Sequence, residues 1–409
     1  MDPRRNPYTP NAGAMPQALV GRDTLIDDFA ILLDRLKDGR SSPSMLVTGF
    51  RGVGKTVLLT KFEDIANEKC WRVFSEEISS TSTVGSIVAV RAREVLLALS
   101  LSEMAKDVAF KALRVLKAFT LRLPEGPELS IDIEAAFGIA DSGDLAHDLS
   151  DLLIEVGRAV KANDTGFVLI LDEVQFLPKK DLEALIVALH AVTRKKLPVT
   201  VVAAGLPNLR ALAGEAKRYA ERLFEMPSIG RLEAGVDSAG RHHDYAREAL
   251  LLPAQSEGVE YTEDACKRVL AVTEGYPYFI QAYGKHCWNL APTSPITLRD
   301  VEMAIPLAET ALDEGFFAMR TSAMTDDQWS YLHAMARLGE APYTSERVAK
   351  EAGYKDQRYG SPMRDSLIDA GLIYAPRRGF IDFTVPQFTA YLGRLSRKTR
   401  KQERVKRPR

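Results

Sequence analysis

The sequence predicts an α/β protein with three successive domains: a three-layer domain around a parallel sheet, an α-helical domain and a winged helix-turn-helix domain. Up to about residue 230, short apolar runs alternate with segments of helical periodicity, which is typical of a parallel sheet covered by helices. Helical periodicity dominates up to about residue 320. Between residues 325 and 395, three helical segments precede two short strands, the element order of a winged helix.

Length and composition fit this organisation. The chain has 409 residues, which is more than a domain with a single hydrophobic core usually contains. The sequence has no uninterrupted apolar run near the eighteen or so residues of a membrane span, and its first residues lack the apolar segment of a signal peptide. We therefore expect a cytoplasmic protein without a membrane partner.

The first domain is predicted over residues 19–230, after an extended surface arm at residues 1–18 that holds four prolines. The apolar spacing of residues 25–36 predicts a helix before the first strand. Strands are predicted at MLVT, WRVFSEEI, GFVLILDE and LPVTVVAAG, with helices between them, two of these over residues 84–118. Alternation around a proline-rich turn predicts an inserted β-hairpin at about residues 119–135.

An α-helical lid domain is predicted over residues 231–320, with HHDYAREALLL as its first helix. The winged helix domain is predicted over residues 321–395, with SPMRDSLIDAG as recognition helix and an Arg-Arg-Gly turn as wing tip.

Residues 396–409 are predicted to form a basic tail. Although the net charge of the chain is −1, its last sixteen residues hold nine Lys or Arg and one Glu. Such a tail can attract nucleic acid phosphates, and a disordered, solubilising end is the alternative.

Residues 49–56, GFRGVGKT, follow the first predicted strand and precede a helix. They match the pattern GxxxxGK[ST], in which glycines let the backbone turn tightly and aim its N–H groups at phosphate oxygens. Lys55 would reach the β- and γ-phosphates of a nucleoside triphosphate, and the Thr56 hydroxyl would bind Mg²⁺. The predicted nucleotide-binding residues of this P-loop are Gly49, Arg51, Gly52, Val53, Gly54, Lys55, Thr56 and Val57.

A second chemical element follows on a buried strand that ends in Asp172 and Glu173. In this Walker B arrangement, Asp172 would hold Mg²⁺ through its water shell, and Glu173 would orient the attacking water or accept its proton. No motif for a second substrate is present, so phosphoryl transfer to water is favoured. We expect ATP and Mg²⁺ as cofactors, because no guanine-reading NKxD-like stretch follows the strand.

Six segments occur in the order seen in AAA+ and STAND ATPases. They are LVGRD (19–23), GFRGVGKT, LILDEVQ, AAGLPNL (203–209), AERLFE (220–225) and EGYPYFIQ (274–281). Over residues 19–393 the chain resembles the origin-recognition-like bacterial and archaeal group of these ATPases. The resemblance implies a nucleotide domain with a helical lid and a C-terminal winged helix, acting as an ATP-driven switch rather than as a metabolic enzyme.

The resemblance also implies roles for residues outside the P-loop. Val20, Gly21 and Arg22 match the element that packs beside the adenine. On the lid, Tyr276 and Pro277 would contact the nucleotide by shape.

Arg222 matches the arginine that reaches a γ-phosphate in related ATPases, often across a subunit interface. Arg218 is the competing candidate, and an ordinary surface ion pair is the alternative. Two departures from the family predict slow hydrolysis or a long-lived ATP state. The strand that usually ends in a polar sensor ends here in Ala203-Ala204-Gly205, and Tyr278 stands where the lid often has an arginine.

Four arginines are candidate DNA-binding residues of the winged helix: Arg358, Arg364, Arg377 and Arg378. They could meet phosphates and the groove edge. The helix also carries Asp365 and Asp369, and winged helices of related ATPases also serve as packing modules.

The function predicted from the sequence is an ATP-dependent switch in which hydrolysis changes how the winged helix is presented. One alternative is a nucleotide-responsive DNA-binding regulator with little hydrolysis. The other is a signalling or defence scaffold whose winged helix binds protein. The partners considered are double-stranded DNA, another protein and a second copy of the chain, since an arginine acting in trans needs at least a dimer.

Overall fold

The computed structural model describes residues 1–123, 133–237, 239–339 and 341–406, with side chains described up to Arg397. A five-stranded parallel sheet forms the centre of the first domain. Its strands are β1 (Ser44–Thr48), β2 (Arg72–Glu77), β3 (Phe167–Asp172), β4 (Val199–Gly205) and β5 (Phe224–Glu225). They lie in the order β2-β3-β4-β1-β5. Because all are parallel, the carboxyl ends of β1 and β3 open at the same edge, on either side of β4.

Helices cover both faces of the sheet, as the alternating pattern predicts. They are α1 (Asp23–Lys37), α2 (Lys55–Glu68), α3 (Val84–Ser100), α4 (Lys106–Thr120), α5 (Leu145–Ala162), α6 (Lys179–Arg194), α7 (Leu209–Ala216) and α8 (Ala220–Leu223). Met45 and Val47 of β1 join the buried cluster that includes α1 and α2, while Leu46 joins the cluster of α3 to α6. Successive side chains of a strand point to opposite faces, so the domain has three layers.

The β-hairpin predicted at about residues 119–135 is wrong at its start. Phe119 and Thr120 are the last residues of α4, because Phe119 continues the buried stripe of Leu113 and Leu116 on that helix. Such 3.6-residue spacing favours a helix over a strand. Residues 124–132 of the predicted hairpin lie outside the described residues.

The second region is mainly helical but begins with a two-stranded antiparallel sheet. The elements are β6 (Ala234–Val236), β7 (His242–Asp244), α9 (Tyr245–Ser256), α10 (Glu263–Thr273), α11 (Pro277–Leu290), α12 (Leu298–Ala311), a π-helical turn (Leu312–Phe317) and α13 (Ala318–Thr321). The helix predicted to begin at His242 therefore begins at Tyr245, where Asp244 caps it by accepting from the Arg247 N–H. The preceding turn diverts the chain into β7, since Asp237 accepts from the Ala239 and Arg241 N–H groups.

The N-terminal arm packs against this helical region. Tyr8 is buried, and its hydroxyl donates to the Leu250 carbonyl at 2.5 Å. The Trp288 indole donates to the Asp2 carbonyl at 3.0 Å, and the Asn6 amide donates to the Lys285 carbonyl. The arm predicted to lie on the surface is therefore anchored to α9 and α11 by a buried aromatic ring.

The C-terminal region combines helices with a small antiparallel sheet in the order β8-β10-β9. Its elements are α14 (Asp326–Arg337), β8 (Tyr343–Thr344), α15 (Ser345–Glu351), α16 (Gln357–Asp369), β9 (Ile373–Tyr374), β10 (Phe380–Phe383) and α17 (Phe388–Lys406). Among the described residues, no helix combines the length and apolar character that crossing a bilayer requires.

Candidate nucleotide-binding site

The loop between β1 and α2 has a backbone conformation suited to phosphate. Gly54 caps α2 at φ = 94°, a left-handed conformation that residues with a side chain rarely adopt. The N-terminal N–H groups of α2, which lack partners within the helix, are thereby presented to the loop. The Lys55 ammonium turns back and donates to the carbonyls of Gly49 and Phe50 at 3.0 and 3.1 Å. A phosphate would offer this ammonium a stronger, charged acceptor.

The Lys55 ammonium is a charged group in a buried position. Only 5% of the residue is exposed, and this burial lowers the pKa of its ammonium, although Glu173 and Asp172 act in the opposite direction. A buried charge is costly unless it is paired. An anionic ligand in the loop would therefore stabilise the charged form of Lys55.

Thr56 and Asp172 form the contact between the P-loop helix and strand β3. The Thr56 hydroxyl donates to Asp172 Oδ2 at 2.5 Å, and Asp172 Oδ1 accepts from the Glu173 N–H at 2.8 Å. A hydroxyl and a carboxylate are hard oxygen donors of the kind that Mg²⁺ prefers. These two residues therefore fit the magnesium site expected from the sequence.

Glu173 is held by a residue that the sequence analysis did not single out. The Gln175 amide nitrogen donates to Glu173 Oε2, while its oxygen accepts from the Leu206 N–H at 3.0 Å. A Cβ on Gly205 would lie only 2.5 Å from that oxygen, so the bridge requires glycine at the end of β4. Gln175 thus brings a polar group to a strand end, Ala203 to Gly205, that has none of its own.

Arg22 connects the predicted adenine element to the P-loop. Its guanidinium donates to the carbonyls of Gly21, Val53 and Gly230 at 2.9, 3.3 and 3.0 Å. Burial lowers the pKa of Arg22. Gly21 and the neighbouring Val20 therefore lie beside the loop.

The residues predicted to form the lid contact the P-loop through the start of α11. The Tyr276 hydroxyl donates to the Arg51 carbonyl, and the Tyr278 N–H donates to the Gly52 carbonyl at 3.2 Å. Tyr276 is buried, which raises the pKa of its phenol. Pro277 is the first residue of α11. Tyr276 and the first turn of α11 thus contact the loop backbone.

The C-terminal region also reaches the P-loop. The Arg51 guanidinium donates to the Ala370 carbonyl at 2.7 Å, just after α16. The ring of Phe50 lies 4.7 Å from that of Tyr374 in β9, measured between centroids. Two side chains of the loop therefore contact a region more than 300 residues away in sequence.

The candidate arginine fingers are not part of this arrangement within one chain. Arg218 and Arg222 are exposed, and neither side chain makes a hydrogen bond or ion pair in the part of the chain that the structure describes. Arg222 lies on the short helix α8. Its predicted role would require a neighbouring copy.

The four candidate DNA-binding arginines are accessible to different degrees. Arg377 and Arg378 are exposed in the turn between β9 and β10, with Arg377 over the Phe380 ring. The side chain of Arg358 is 89% exposed, and that of Arg364, only 25% exposed, pairs with Asp365 at 2.8 Å. Arg358 and Arg364 are six residues apart on α16, so they project about 120° apart. The structure does not unite them on one face.

Arg320 is a second residue near the P-loop that the sequence analysis missed. It lies on α13, and its guanidinium stacks on the Phe316 ring. Gln175 stands within the LILDEVQ segment and could have been found there. Arg320 carries no such signal, because it stands in an ordinary helical segment far from both nucleotide motifs.

Two family profiles match the chain. An AAA ATPase domain matches residues 18–202, and a domain of unknown function (DUF8462) matches residues 314–392. No curated protein matches the whole chain or a part of it at a significant level. Residues 18–202, which include the P-loop and strands β1 to β3, are thus similar to an AAA ATPase domain.

Three solved structures align with more than nine-tenths of the chain. A Walker-type ATPase of Pyrococcus abyssi is 14% identical, with 93% of this chain and 97% of that chain covered and a TM-score of 0.52. The ORC1 protein of Aeropyrum pernix, solved in complex with DNA, is 16% identical, with 93% and 95% covered and a TM-score of 0.43. Cdc6p of Pyrobaculum aerophilum is 14% identical, with 98% and 99% covered and a TM-score of 0.43. The first similarity supports a parallel-sheet P-loop ATPase fold.

Proposed function

We propose that this protein binds ATP with Mg²⁺, hydrolyses it, and uses the nucleotide state to control its C-terminal region, residues 321–395, which we interpret as a winged helix. The observation that carries the proposal is the 2.5 Å contact between Thr56 and Asp172. It joins the P-loop to the strand that delivers Glu173, inside the segment that matches an AAA ATPase domain. The residues needed for nucleotide chemistry therefore share one edge of the sheet.

Each residue of the proposed site has a distinct task. Lys55 and the first N–H groups of α2 bind the phosphates. The oxygens of Thr56 and Asp172 hold Mg²⁺, which when bound would offset negative charge on the phosphoryl oxygens. Glu173 orients the attacking water and accepts its proton. Gln175 fixes the Glu173 carboxylate through its own bond to the end of β4.

The coupling to the C-terminal region rests on the P-loop itself. Arg51 and Phe50 hold Ala370 and Tyr374, respectively. Because Arg51 belongs to the loop that would surround the phosphates, a change in the loop alters its bond to Ala370. This contact supports a switch over a simple ATP-consuming enzyme.

We further propose double-stranded DNA as the partner of the C-terminal region. The support is the exposed pair Arg377 and Arg378 between β9 and β10, together with the basic composition of residues 396–409. Such cations contribute salt-dependent affinity for phosphates. The pairing of Arg364 with Asp365 favours the alternative of a protein partner. Arg222, exposed on α8, remains our candidate for a γ-phosphate contact made between two copies of the chain.

ATP turnover by the purified full-length protein tests the proposal. We expect Glu173→Gln to lower kcat on the order of a hundred-fold or more while ATP still binds, since a positioned general base contributes about that much. Lys55→Ala should abolish ATP binding. Glu68→Gln, an exposed glutamate of α2 without an ion pair in the described residues, serves as matched control. Unchanged turnover in Glu173→Gln would refute the proposed hydrolysis.

The same assay with duplex DNA, at low and at physiological salt, separates the partners. Stimulation of turnover that weakens as salt rises would support DNA. Failure to bind duplex DNA at low salt would remove DNA and leave a protein partner.

A further inference from the structure

A guanidinium from the C-terminal part of the chain stacks on an aromatic ring that contacts the P-loop. Arg320 stands within residues 314–392, the segment matched by the domain of unknown function. Its Cζ atom lies 3.4 Å from the centroid of the Phe316 ring, and Nη1 donates to the Phe316 carbonyl at 2.5 Å. The Phe316 ring in turn packs on the loop, since a Cβ on Gly52 would lie 3.4 Å from it. Arg320 is therefore one ring away from the P-loop backbone.

Only part of the Arg320 guanidinium forms hydrogen bonds with the described residues. Arg320 Nε is hidden from solvent and has no hydrogen-bond partner, and no carboxylate forms an ion pair with Arg320 within the described ranges. Arg394 shows the contrasting case, because its guanidinium bonds both oxygens of Asp313 at 2.7 and 2.8 Å. A buried donor without a partner costs free energy. A ligand that accepts from Arg320 would remove that cost.

The surroundings of Arg320 indicate the charge of that ligand. Burial, and to a smaller extent the nearby Arg51, lower the pKa of Arg320 to about 10. Arg51 and Lys55 both belong to the P-loop, and the Phe316 ring places Arg320 beside it. Three cationic side chains thus lie at the P-loop, near the two carboxylates Asp172 and Glu173 at the end of β3. Like charges held together favour an anion between them.

We infer that Arg320 binds the terminal phosphate of a nucleoside triphosphate held in the P-loop. The inference rests on the proposed function and deepens it, because it makes the C-terminal segment part of the nucleotide site. A guanidinium with a free edge donates two parallel hydrogen bonds to phosphate oxygens. A diphosphate lacks the terminal group, so Arg320 distinguishes the two nucleotides. Helix α13, which carries Arg320, ends four residues before Thr325, which caps α14. The presence or loss of the terminal phosphate therefore acts directly on the start of the C-terminal region.

Equilibrium binding to the purified full-length protein tests the inference. The probes are ADP and an ATP analogue with a non-hydrolysable β–γ bond, each with Mg²⁺ and measured by calorimetry. Arg320→Ala should weaken the triphosphate roughly ten- to a hundred-fold, the range for a hydrogen bond to a charged group. ADP affinity should change less than about two-fold. Arg347→Ala, an exposed arginine of α15 without an ion pair among the described side chains, should leave both affinities unchanged.

The outcomes separate this inference from the proposed function. If Arg320→Ala loses the same affinity for both nucleotides, or loses none for either, the proposed role of Arg320 is wrong. If the wild-type protein binds neither nucleotide, the proposed function itself fails. Arg320→Met keeps an apolar stem over Phe316 and removes the charge, so it supplies the same comparison if Arg320→Ala does not fold. Circular dichroism of each variant without nucleotide establishes which one is used.

Discussion

Glu173 leaves strand β3 with a left-handed backbone, at φ = 54°, and its carboxylate accepts a hydrogen bond from the Gln175 amide. The other end of that amide is fixed by the Leu206 N–H. Since Leu206 needs the amide oxygen as acceptor, the amide nitrogen must face Glu173. The orientation of the candidate general base is therefore set from the neighbouring strand β4.

Removing this bridge should slow hydrolysis without weakening ATP binding. We expect Gln175→Ala to lower kcat about ten-fold, which corresponds to about 1.4 kcal/mol, with KM nearly unchanged. Steady-state turnover measures both quantities. Gln357→Ala on α16 is the control, and a change confined to KM would contradict a positioning role.

The pH profile of Gln175→Glu provides the second readout. A carboxylate at position 175 would face the Glu173 carboxylate, and two such groups cannot both stay charged at close range without cost. One shared proton restores the bridge, so kcat of this variant should rise relative to wild type as pH falls towards about 5. If the ratio of kcat of Gln175→Glu to kcat of the wild type stays constant across the pH range, Gln175 acts only on folding.

The residues of the P-loop and the end of β3 could be predicted from sequence because their signals are local. A glycine pattern and an apolar run ending in Asp172 and Glu173 need no knowledge of distant contacts. Gln175 was within reach, since it lies two residues beyond Glu173. Its role depends on how β3 pairs with β4, and Arg320 depends on packing between distant parts of the chain.

Among the elements, the hairpin of β6 and β7 carries a half-buried charge network at the entrance to the helical region. His243 lies between Glu248 at 2.6 Å and Asp237 at 3.2 Å, and its ring stacks on Tyr245. Glu248, and then Asp237, raise the pKa of His243 above its ordinary value of 6.5. The imidazolium is therefore favoured in the folded protein.

The hairpin should make stability depend on pH. Because the folded pKa of His243 is raised, its stabilisation is fully present below about pH 6.5 and is lost as pH rises through the folded pKa. We expect His243→Gln to lower the melting temperature more at about pH 5.5 than at about pH 8.5. His242→Gln alters the exposed neighbouring histidine and is the matched control. Equal losses for His243→Gln at both pH values would disprove the linkage.

The same hairpin shows why element boundaries were harder to predict than the elements. His242 to Asp244 form a strand of only three residues, too short for alternation to be visible beside the helical stripe of α9. The prediction for the N-terminal arm rests on its prolines, which indicate extended backbone. They do not indicate that Tyr8 is buried. Both errors concern contacts that are absent from the local pattern.

At the scale of the whole molecule, the C-terminal region is fastened both to the P-loop and to the helical region. Phe50 and Arg51 make the first attachment, and Arg394 of α17 makes the second through Asp313 in the π-helical turn. The sequence predicts the order of these regions but not their contacts, because 319 residues separate Arg51 from Ala370. The contacts make nucleotide-dependent movement of the C-terminal region a testable property.

Triphosphate binding should loosen the attachment to the P-loop. Phosphate competes with the Ala370 carbonyl for the Arg51 guanidinium, and charged acceptors are the stronger ones. In Glu173→Gln with Mg²⁺ and ATP, amides of β9 and the end of α16 should therefore exchange hydrogen faster than with ADP, by roughly two- to ten-fold if the Phe50–Tyr374 pair is also lost.

Tyr374→Ala should reproduce that loosening without nucleotide, because it removes the ring that packs on Phe50. Tyr359→Ala removes an exposed ring of α16 instead, and should leave the exchange of β9 unchanged. Equal exchange in the ATP, ADP and nucleotide-free states would show that the region does not respond to nucleotide. In that case the P-loop contact is a fixed domain interface, and hydrolysis must act on a partner through another surface.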